Sequence, residues 1–465
     1  MKIEQIYTGC LAQGAYYIES NGEVAIIDPL REVSPYVKRA EKDSANIKYI
    51  FETHFHADFV SGHVTLAEQT DAKIIFGPTA TTKFNSHIAE DNEEFKLGDL
   101  IIKVLHTPGH TLESISLLLK DKSGKDIALF SGDTLFLGDV GRPDLAQKSN
   151  ITLDDLAGML YDSLRNKIMP LADDLTVYPA HGAGSACGKN MMKETVDTLG
   201  NQKKTNYALR ADMTKEEFIK EVTDGLATPP GYFPENVRLN KEGYDDIKNI
   251  LGKGTTALSP AVFETIANET GALMLDVRSA SDFAKAHVPN SIFIGLDGGF
   301  APWVGQLIVD VNQEIILITD KGREEEAVTR LARIGFDNTL GYLDGGIKAW
   351  KAEKKDTESI DCVSAEEFTK QYDKNISFDV RKEGEFLSEH VLDINHTPLC
   401  TINEHLSEFP KEKFFVHCAG GYRSMMAASI LKSRGFDKVI NVEGGFKAIK
   451  ETNIPVSAYV CPSTL

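Results

Sequence analysis

Along the first 190 residues, apolar positions come in short runs separated by turn residues rather than at helical spacing. Such runs predict short β-strands. The predicted strands are Tyr16–Glu19, Glu23–Ile27, Ile47–Glu52, Lys73–Phe76, Leu100–Leu105, Ser114–Leu119, Ile127–Phe130 and Leu175–Tyr178. Asn21-Gly22 between the first two is a strong hairpin signal. Helical periodicity appears near Val60–Gln69 and Leu153–Asn166. From Gly188 to about Leu251 the chain turns helical and charged, interrupted by the stretch ATPPGYFPEN at 227–236. Its prolines and glycine predict a loop there.

The remainder repeats itself. Met274-Leu-Asp-Val-Arg278 recurs as Ser377-Phe-Asp-Val-Arg381, and His287-Val288 as His390-Val391. Gly335-Phe-Asp337 recurs as Gly435-Phe-Asp437, and Asp344-Gly-Gly-Ile-Lys-Ala349 as Glu443-Gly-Gly-Phe-Lys-Ala448, each at a spacing of about 100 residues. Each unit reads strand–helix–strand–helix, which predicts a small α/β sheet. The expected domains are 1–255, 256–356 and 357–465.

Composition narrows the function. The 465 residues suffice for about three domains at ~150 residues each. A net charge of −19, from 50 Lys plus Arg against 69 Asp plus Glu, disfavours nucleic acid and anionic membrane surfaces as partners. No apolar run approaches the ~18 residues of a membrane span, and the start lacks a secretory signal, so a cytoplasmic location is expected. Six cysteines are scattered without a CxxC pair, which suits a reducing compartment and one or two working thiols.

Candidate chemistry sits just after the apolar runs. Thr53-His54-Phe55-His56-Ala57-Asp58-Phe59 follows one; Thr107-Pro-Gly-His110, Ser131-Gly-Asp133 and Pro179-Ala-His181 follow three others. Histidines and aspartates at several strand ends can converge on one point, as a metal needs. These segments resemble the metallo-β-lactamase superfamily, whose fold is an αββα sandwich. The usual loop of that family is HxHxDH, and here its last position is Phe59. In the family that histidine serves a second metal, with the residues matching Asp58 and His181, so the resemblance implies one metal rather than two. The runs Phe130–Asp144 and Tyr178–Ser185 are similar to the persulfide dioxygenase branch. That branch holds a single Fe(II), with two histidines and an aspartate that carry over to His54, His110 and Asp133; zinc is able to take its place in purified protein. A two-His, one-carboxylate face leaves three positions open, enough for a sulfur substrate and O₂. His56, Asp58 and His181 would orient ligands or bound water. Arg142 is a candidate grip for an anionic substrate end, against a structural salt bridge. Cys187 could carry a sulfane sulfur; its reading as a small buried residue is favoured. His63 is read as an ordinary helix residue.

Near the end of the chain, Phe414-Phe-Val-His417 is a predicted strand running into Cys418-Ala-Gly-Gly-Tyr-Arg423-Ser424 and then a helical run, Met425–Ser433. A cysteine between a strand and a helix N-terminus faces backbone N–H groups and the positive end of the helix dipole, and Arg423 adds charge; all three stabilise a thiolate. The loop resembles the CxxGxR active-site loop of rhodaneses, with Gly420 and Gly421 as expected substrate-binding positions. Arg423 follows Cys418 by five residues, one fewer than in the related phosphatases, a tighter ring that suits a persulfide. In the middle unit the corresponding loop is Asp320-Lys-Gly-Arg323, two residues shorter and without cysteine. That unit is expected to be an inactive rhodanese-like domain, serving as scaffold or interface.

Together the segments resemble fusions of persulfide dioxygenase and rhodanese. The resemblance implies oxidation of a small-molecule persulfide by O₂ to sulfite, and transfer of sulfane sulfur through Cys418 to sulfite, giving thiosulfate. A tether keeps the product of one site close to the other. One rival is a zinc thioester hydrolase like glyoxalase II with an appended sulfurtransferase; it needs two metals, against which Phe59 weighs. Another is a non-oxidising sulfur carrier or scaffold. The inert unit hints at self-association.

Overall fold

The computed structural model describes residues 1–146, 150–226 and 228–461. They form two compact units, one of Met1–Ile247 with Ala332–Gly335, the other of the remaining described residues from Lys248.

The first unit is an αββα sandwich of two six-stranded sheets, each laid out in chain order. One sheet holds Lys2–Thr8, Gln13–Ser20, Glu23–Ile27, Asn46–Phe51, Lys73–Phe76 and His87–Ile88. The other holds Glu94–Leu97, Leu100–His106, Ile115–Lys120, Asp126–Gly132, Thr176–Pro179 and Asp197–Thr198. Alternate side chains of a strand point to opposite faces. Tyr16, Ile18, Ala25 and Ile27 accordingly face Leu117, Leu119, Ala128 and Phe130 between the sheets. Ala15, Tyr17, Val24 and Ile26 pack outward against Tyr36, Ala40 and Leu66 of the helices Ser34–Lys42 and His63–Thr70. Leu118 and Leu129 pack under Ala157, Leu160, Leu164 and Phe218 on the other outer face. Burial on both faces is why these strands are continuous apolar runs.

Two parts of the sequence reading need correction. The edge strand Lys2–Thr8 and the helix Ser34–Lys42 have too few apolar residues to signal themselves; Pro35 lies in the helix's first turn, which its fixed φ suits. The stretch predicted as a loop becomes, from Phe233, the first turn of the helix Phe233–Glu242, with Pro234 in that same permitted position. Residue 227 of that stretch lies outside the described residues.

The second unit contains two five-stranded, all-parallel sheets of the same strand order. In the middle repeat the order is Ala257–Leu258, Thr339–Leu343, Ile315–Ile318, Leu273–Asp276, Ile292–Phe293. In the last repeat it is Asp361–Val363, Val439–Val442, Phe414–His417, Ser377–Asp379, Asn395–His396. The central strands are fully buried, and their carboxyl ends release the Asp320 and Cys418 loops, where parallel sheets present ligand sites. No helix among the described residues is long and apolar enough to cross a membrane.

Candidate metal centre and cysteine loop

The four strand-end segments of the first unit meet at one edge of the sandwich. His54, His110 and Asp133 are all buried, and one donor atom from each lies within 4.8 Å of the others. Gly132, with φ +53°, turns the chain to deliver Asp133, and a Cβ there would sit 2.8 Å from Thr53. Gly141 is needed for a similar reason: its Cβ would lie 2.0 Å from the Asp133 carbonyl oxygen.

Hydrogen bonds fix which histidine nitrogens face inward. Thr53 Oγ1 donates its one proton to Asp28 Oδ2 at 2.9 Å, so at 3.0 Å it accepts from His54 Nδ1. His110 Nδ1 donates to the carbonyl of Arg142 at 2.8 Å. Both rings therefore present a bare Nε2. These nitrogens lie 3.8 Å and 3.4 Å from Asp133 Oδ2, which has no hydrogen-bond partner among the described residues. Two lone pairs converging on an unpaired buried carboxylate oxygen repel one another unless a cation sits among them. The donor set fits a divalent metal. The other oxygen, Asp133 Oδ1, accepts from His181 Nδ1 at 2.9 Å, and His181 Nε2 lies 2.9 Å from Asp58 Oδ2. Burial opposes a charged His181, but Asp133 and Asp58 outweigh it and hold the imidazole well above the usual histidine range.

In the last repeat, Cys418 is buried, and its Sγ accepts from Gly421 N–H at 3.1 Å and from Ser424 Oγ at 3.5 Å. Gly421, at φ +102°, caps the helix Tyr422–Ser433, so the sulfur faces that helix's first turn. The Arg423 guanidinium is directed to Glu385, at 2.5 Å and 2.8 Å, rather than hydrogen-bonded to the sulfur.

Comparison with known proteins agrees with this fold. Residues 8–181 match the metallo-beta-lactamase superfamily, and residues 259–353 and 364–452 each match the rhodanese-like domain. Over 186 residues the chain is 31% identical to a cytoplasmic hydroxyacylglutathione hydrolase of Arabidopsis thaliana, covering 39% of this chain and 67% of that protein. Over 200 residues it is 28% identical to the human mitochondrial persulfide dioxygenase, covering 43% and 70%. A crystal structure titled as a metallo-beta-lactamase from Staphylococcus aureus subsp. aureus COL superposes with a TM-score of 0.64 at 33% identity, covering 74% of this chain and 98% of that one. The chain belongs to the metallo-β-lactamase superfamily. It carries two rhodanese-like domains after the superfamily fold.

Against that superfamily's pattern, the replaced position is informative. Phe59 is fully buried and lies against the His56 ring, centroids 4.3 Å apart. His56 Nε2 points to Asp28 Oδ1 at 3.1 Å and Glu52 Oε2 at 3.7 Å. Burial and the Asp28 charge push Glu52 well up, while burial and His56 push His63 down to about 3. His63, the helix residue that opens His63–Thr70, is also a buried neighbour of Glu52. Asp28 and Glu52 escaped the sequence reading, although Asp28 follows an apolar strand just as Asp133 does.

Two further expectations meet a definite geometry. Arg142 is spent on a bidentate pair with Asp144, at 2.6 Å and 2.7 Å, and on the Ala186 carbonyl; the structural salt bridge prevails over the anion grip. Its contribution to the site is the backbone carbonyl that orients His110. Cys187 is buried, as favoured, yet its donor atom also lies within 4.8 Å of those of Asp133 and His181. Burial, then Asp58 and Asp133, push its thiol well up, so it stands there protonated. A cavity of about 370 Å³ opens beside His110, lined by Phe55, Glu113, Leu145 and Lys241. Lys241 comes from the helix Phe233–Glu242, whose first turn falls in the stretch expected to be a loop and whose remainder lies where a helical, charged chain was expected.

Proposed function

We propose that the first domain oxidises a low-molecular-weight persulfide to sulfite with O₂ at a single iron, and that the last domain transfers sulfane sulfur through Cys418 to give thiosulfate. The observation that carries this reading is Phe59, buried against His56 at the position of a second-metal ligand, leaving His54, His110 and Asp133 as a three-donor face. Fe(II) held by those three would supply open positions for a sulfur ligand and O₂ side by side. The overall change balances as R–S–SH + O₂ + H₂O → R–SH + SO₃²⁻ + 2H⁺, four electrons passing from the sulfane sulfur to O₂. Thr53, Asp28 and the Arg142 carbonyl hold the two imidazoles in the tautomer that ligation requires. His181, protonated between Asp133 and Asp58, fixes the carboxylate and keeps its inner oxygen aimed at the histidines. The cavity beside His110 admits the carbon end of the substrate, and Lys241 at its lining favours an anionic one. At the other site the Cys418 thiolate accepts sulfane sulfur and passes it to sulfite; Gly421 N–H supports the charge on sulfur.

A second reading has one observation in its favour. His56, Asp58 and His181 form another trio with donor atoms within 4.8 Å, next to the first. Two metals there would suit thioester hydrolysis of the kind named for the Arabidopsis relative. Metal analysis of anaerobically purified protein, with oxygen uptake on glutathione persulfide, separates the two. One iron per chain with oxygen consumption and sulfite production is expected. Two zincs per chain, thioester hydrolysis and no oxygen uptake would overturn the dioxygenase reading. Alanine at His54, His110 or Asp133 should remove both iron and oxygen uptake.

A further inference from the structure

Beside the Cys418 loop lies a cavity of about 490 Å³, within the size range of small-molecule sites. Its lining joins both repeats of the second unit. Gly421 and Met425 come from the cysteine loop and its helix, Cys362 and Asn441 from neighbouring strands, and Ser281 and Ala284 from the middle repeat's helix Ala280–Lys285. The repeats are tied together at this point. Tyr422 Oη donates to the Gly295 carbonyl at 2.6 Å, and Phe293 N–H donates to Ser429 Oγ at 3.0 Å. Gly298 is pressed so closely on the Tyr422 ring that a Cβ would lie 2.7 Å from it.

The strand register sets the scale. Cys362 pairs with Asn441, Asn441 pairs with Val416, and Cys418 follows Val416 by two residues. Two strand spacings and two residues of rise put the Cα atoms of Cys362 and Cys418 roughly 12 Å apart. That is too far for a disulfide, which needs about 4.4–6.8 Å, and leaves room for a small thiol body. The cavity also offers an unmet bond. Asn441 is 3% exposed, its amide oxygen has no hydrogen-bond partner among the described residues, and its amide nitrogen has only a long 3.8 Å contact with Cys362 Sγ. A buried amide oxygen calls for an N–H donor.

We propose that this cavity holds the carbon body of a thiol persulfide bearing an amide N–H, which Asn441 recognises, while the sulfane sulfur is handed to Cys418. The cysteine-free middle repeat thereby supplies part of the donor site for its neighbour. The inference rests on the sulfur-carrying role of Cys418 proposed above. In the transfer, the Cys418 thiolate attacks the outer sulfur of R–S–SH, a new S–S bond forms between Cys418 and that sulfur, and the S–S bond of the donor breaks. The thiolate R–S⁻ leaves with the electron pair and the proton stays on Cys418–S–SH; no net oxidation occurs.

The test loads the full-length protein from glutathione persulfide or from thiosulfate, counting sulfur on Cys418 by mass spectrometry over time. Ser281→Trp, at an exposed position of the wall helix, is expected to slow loading from glutathione persulfide about tenfold by occupying the space of the carbon body. Loading from thiosulfate, which has no carbon body, should stay within about twofold. Asn441→Leu should raise the half-saturating concentration of glutathione persulfide about fivefold and leave that of 2-mercaptoethanol persulfide, which lacks an amide, unchanged. Equal slowing with both donors by Ser281→Trp, or no slowing with either, overturns the proposal. Wild-type protein that loads from neither donor overturns the sulfur-carrying role itself.

Discussion

The two rhodanese-like repeats are built alike and differ at one loop. In the middle repeat Arg278 pairs with the buried Asp276 at 2.6 Å and reaches the Ala286 carbonyl at 2.9 Å. In the last repeat Arg381 pairs with the buried Asp379 at 2.6 Å and reaches the Glu389 carbonyl at 2.8 Å. Each repeat then stacks a histidine on a phenylalanine, His287 on Phe283 and His390 on Phe386, with centroids 4.0 Å apart in both. The shared motifs are therefore a scaffold device that tethers the loop after the second strand, and they carry no information about activity. The two repeats differ after the central strand. Cys418 is buried within hydrogen-bonding distance of Gly421 N–H, whereas Asp320 is exposed on a loop two residues shorter. Arg323 there is engaged by Glu326 and Asp297, as Arg423 is by Glu385.

The sharpest break of this comparison is the exchange of the loop residues. Cys418→Ser should lower thiosulfate formation by about a hundredfold or more, because a serine hydroxyl is not ionised near neutral pH and cannot carry sulfane sulfur. Sulfite should accumulate while oxygen uptake continues, since the first unit keeps all its donors. Asp320→Cys should not restore transfer, because its short, open loop offers the sulfur no cradle. Mass spectrometry that finds sulfane sulfur on residue 320 would mean that loop length does not decide transfer.

Next in size is the common scaffold. Arg278→Met and Arg381→Met each leave a buried carboxylate unpaired, a loss of about 3–5 kcal/mol. Denaturant unfolding should show similar destabilisation for both, in keeping with a role independent of catalysis. A cost confined to Arg381→Met would show that the pair serves activity rather than the fold.

A smaller difference concerns acid. His287 is buried, and burial pushes its pKa down to about 4, whereas its equivalent His390 is half-buried. A histidine depressed on folding lends stability that is complete above its unfolded pKa of about 6.5 and lost as the pH falls through 4. Between pH 7 and 4.5 the protein should lose about 2 kcal/mol through His287, and His287→Gln should recover most of that loss. Thermal melts at the two pH values read it directly, with His390→Gln as the control. The smallest effect is expected from Arg423→Ala. Its charge is shared with Glu385, so sulfur transfer should fall only about fivefold, measured as the rate of Cys418 loading.

What the sequence determined alone was what local pattern can encode. Double-sided burial wrote the strands of the sandwich as apolar runs, and strand ends marked His54, His110, Asp133, His181 and Cys418, because backbone geometry presents those positions together. The repeat was legible because both copies keep the same tether. Tertiary structure alone decided where the long polar side chains spend their charges: Arg142 on Asp144, Arg423 on Glu385, His56 towards Asp28 and Glu52. It also started the helix Phe233–Glu242 inside the stretch 227–236, where proline composition argued for a loop, and placed its Lys241 at the cavity beside His110. The physical reason is range. Burial and turn chemistry act between near neighbours and leave a periodic trace, whereas an ion pair or a cavity wall depends on residues far apart in the chain, whose meeting only the packed sheets bring about.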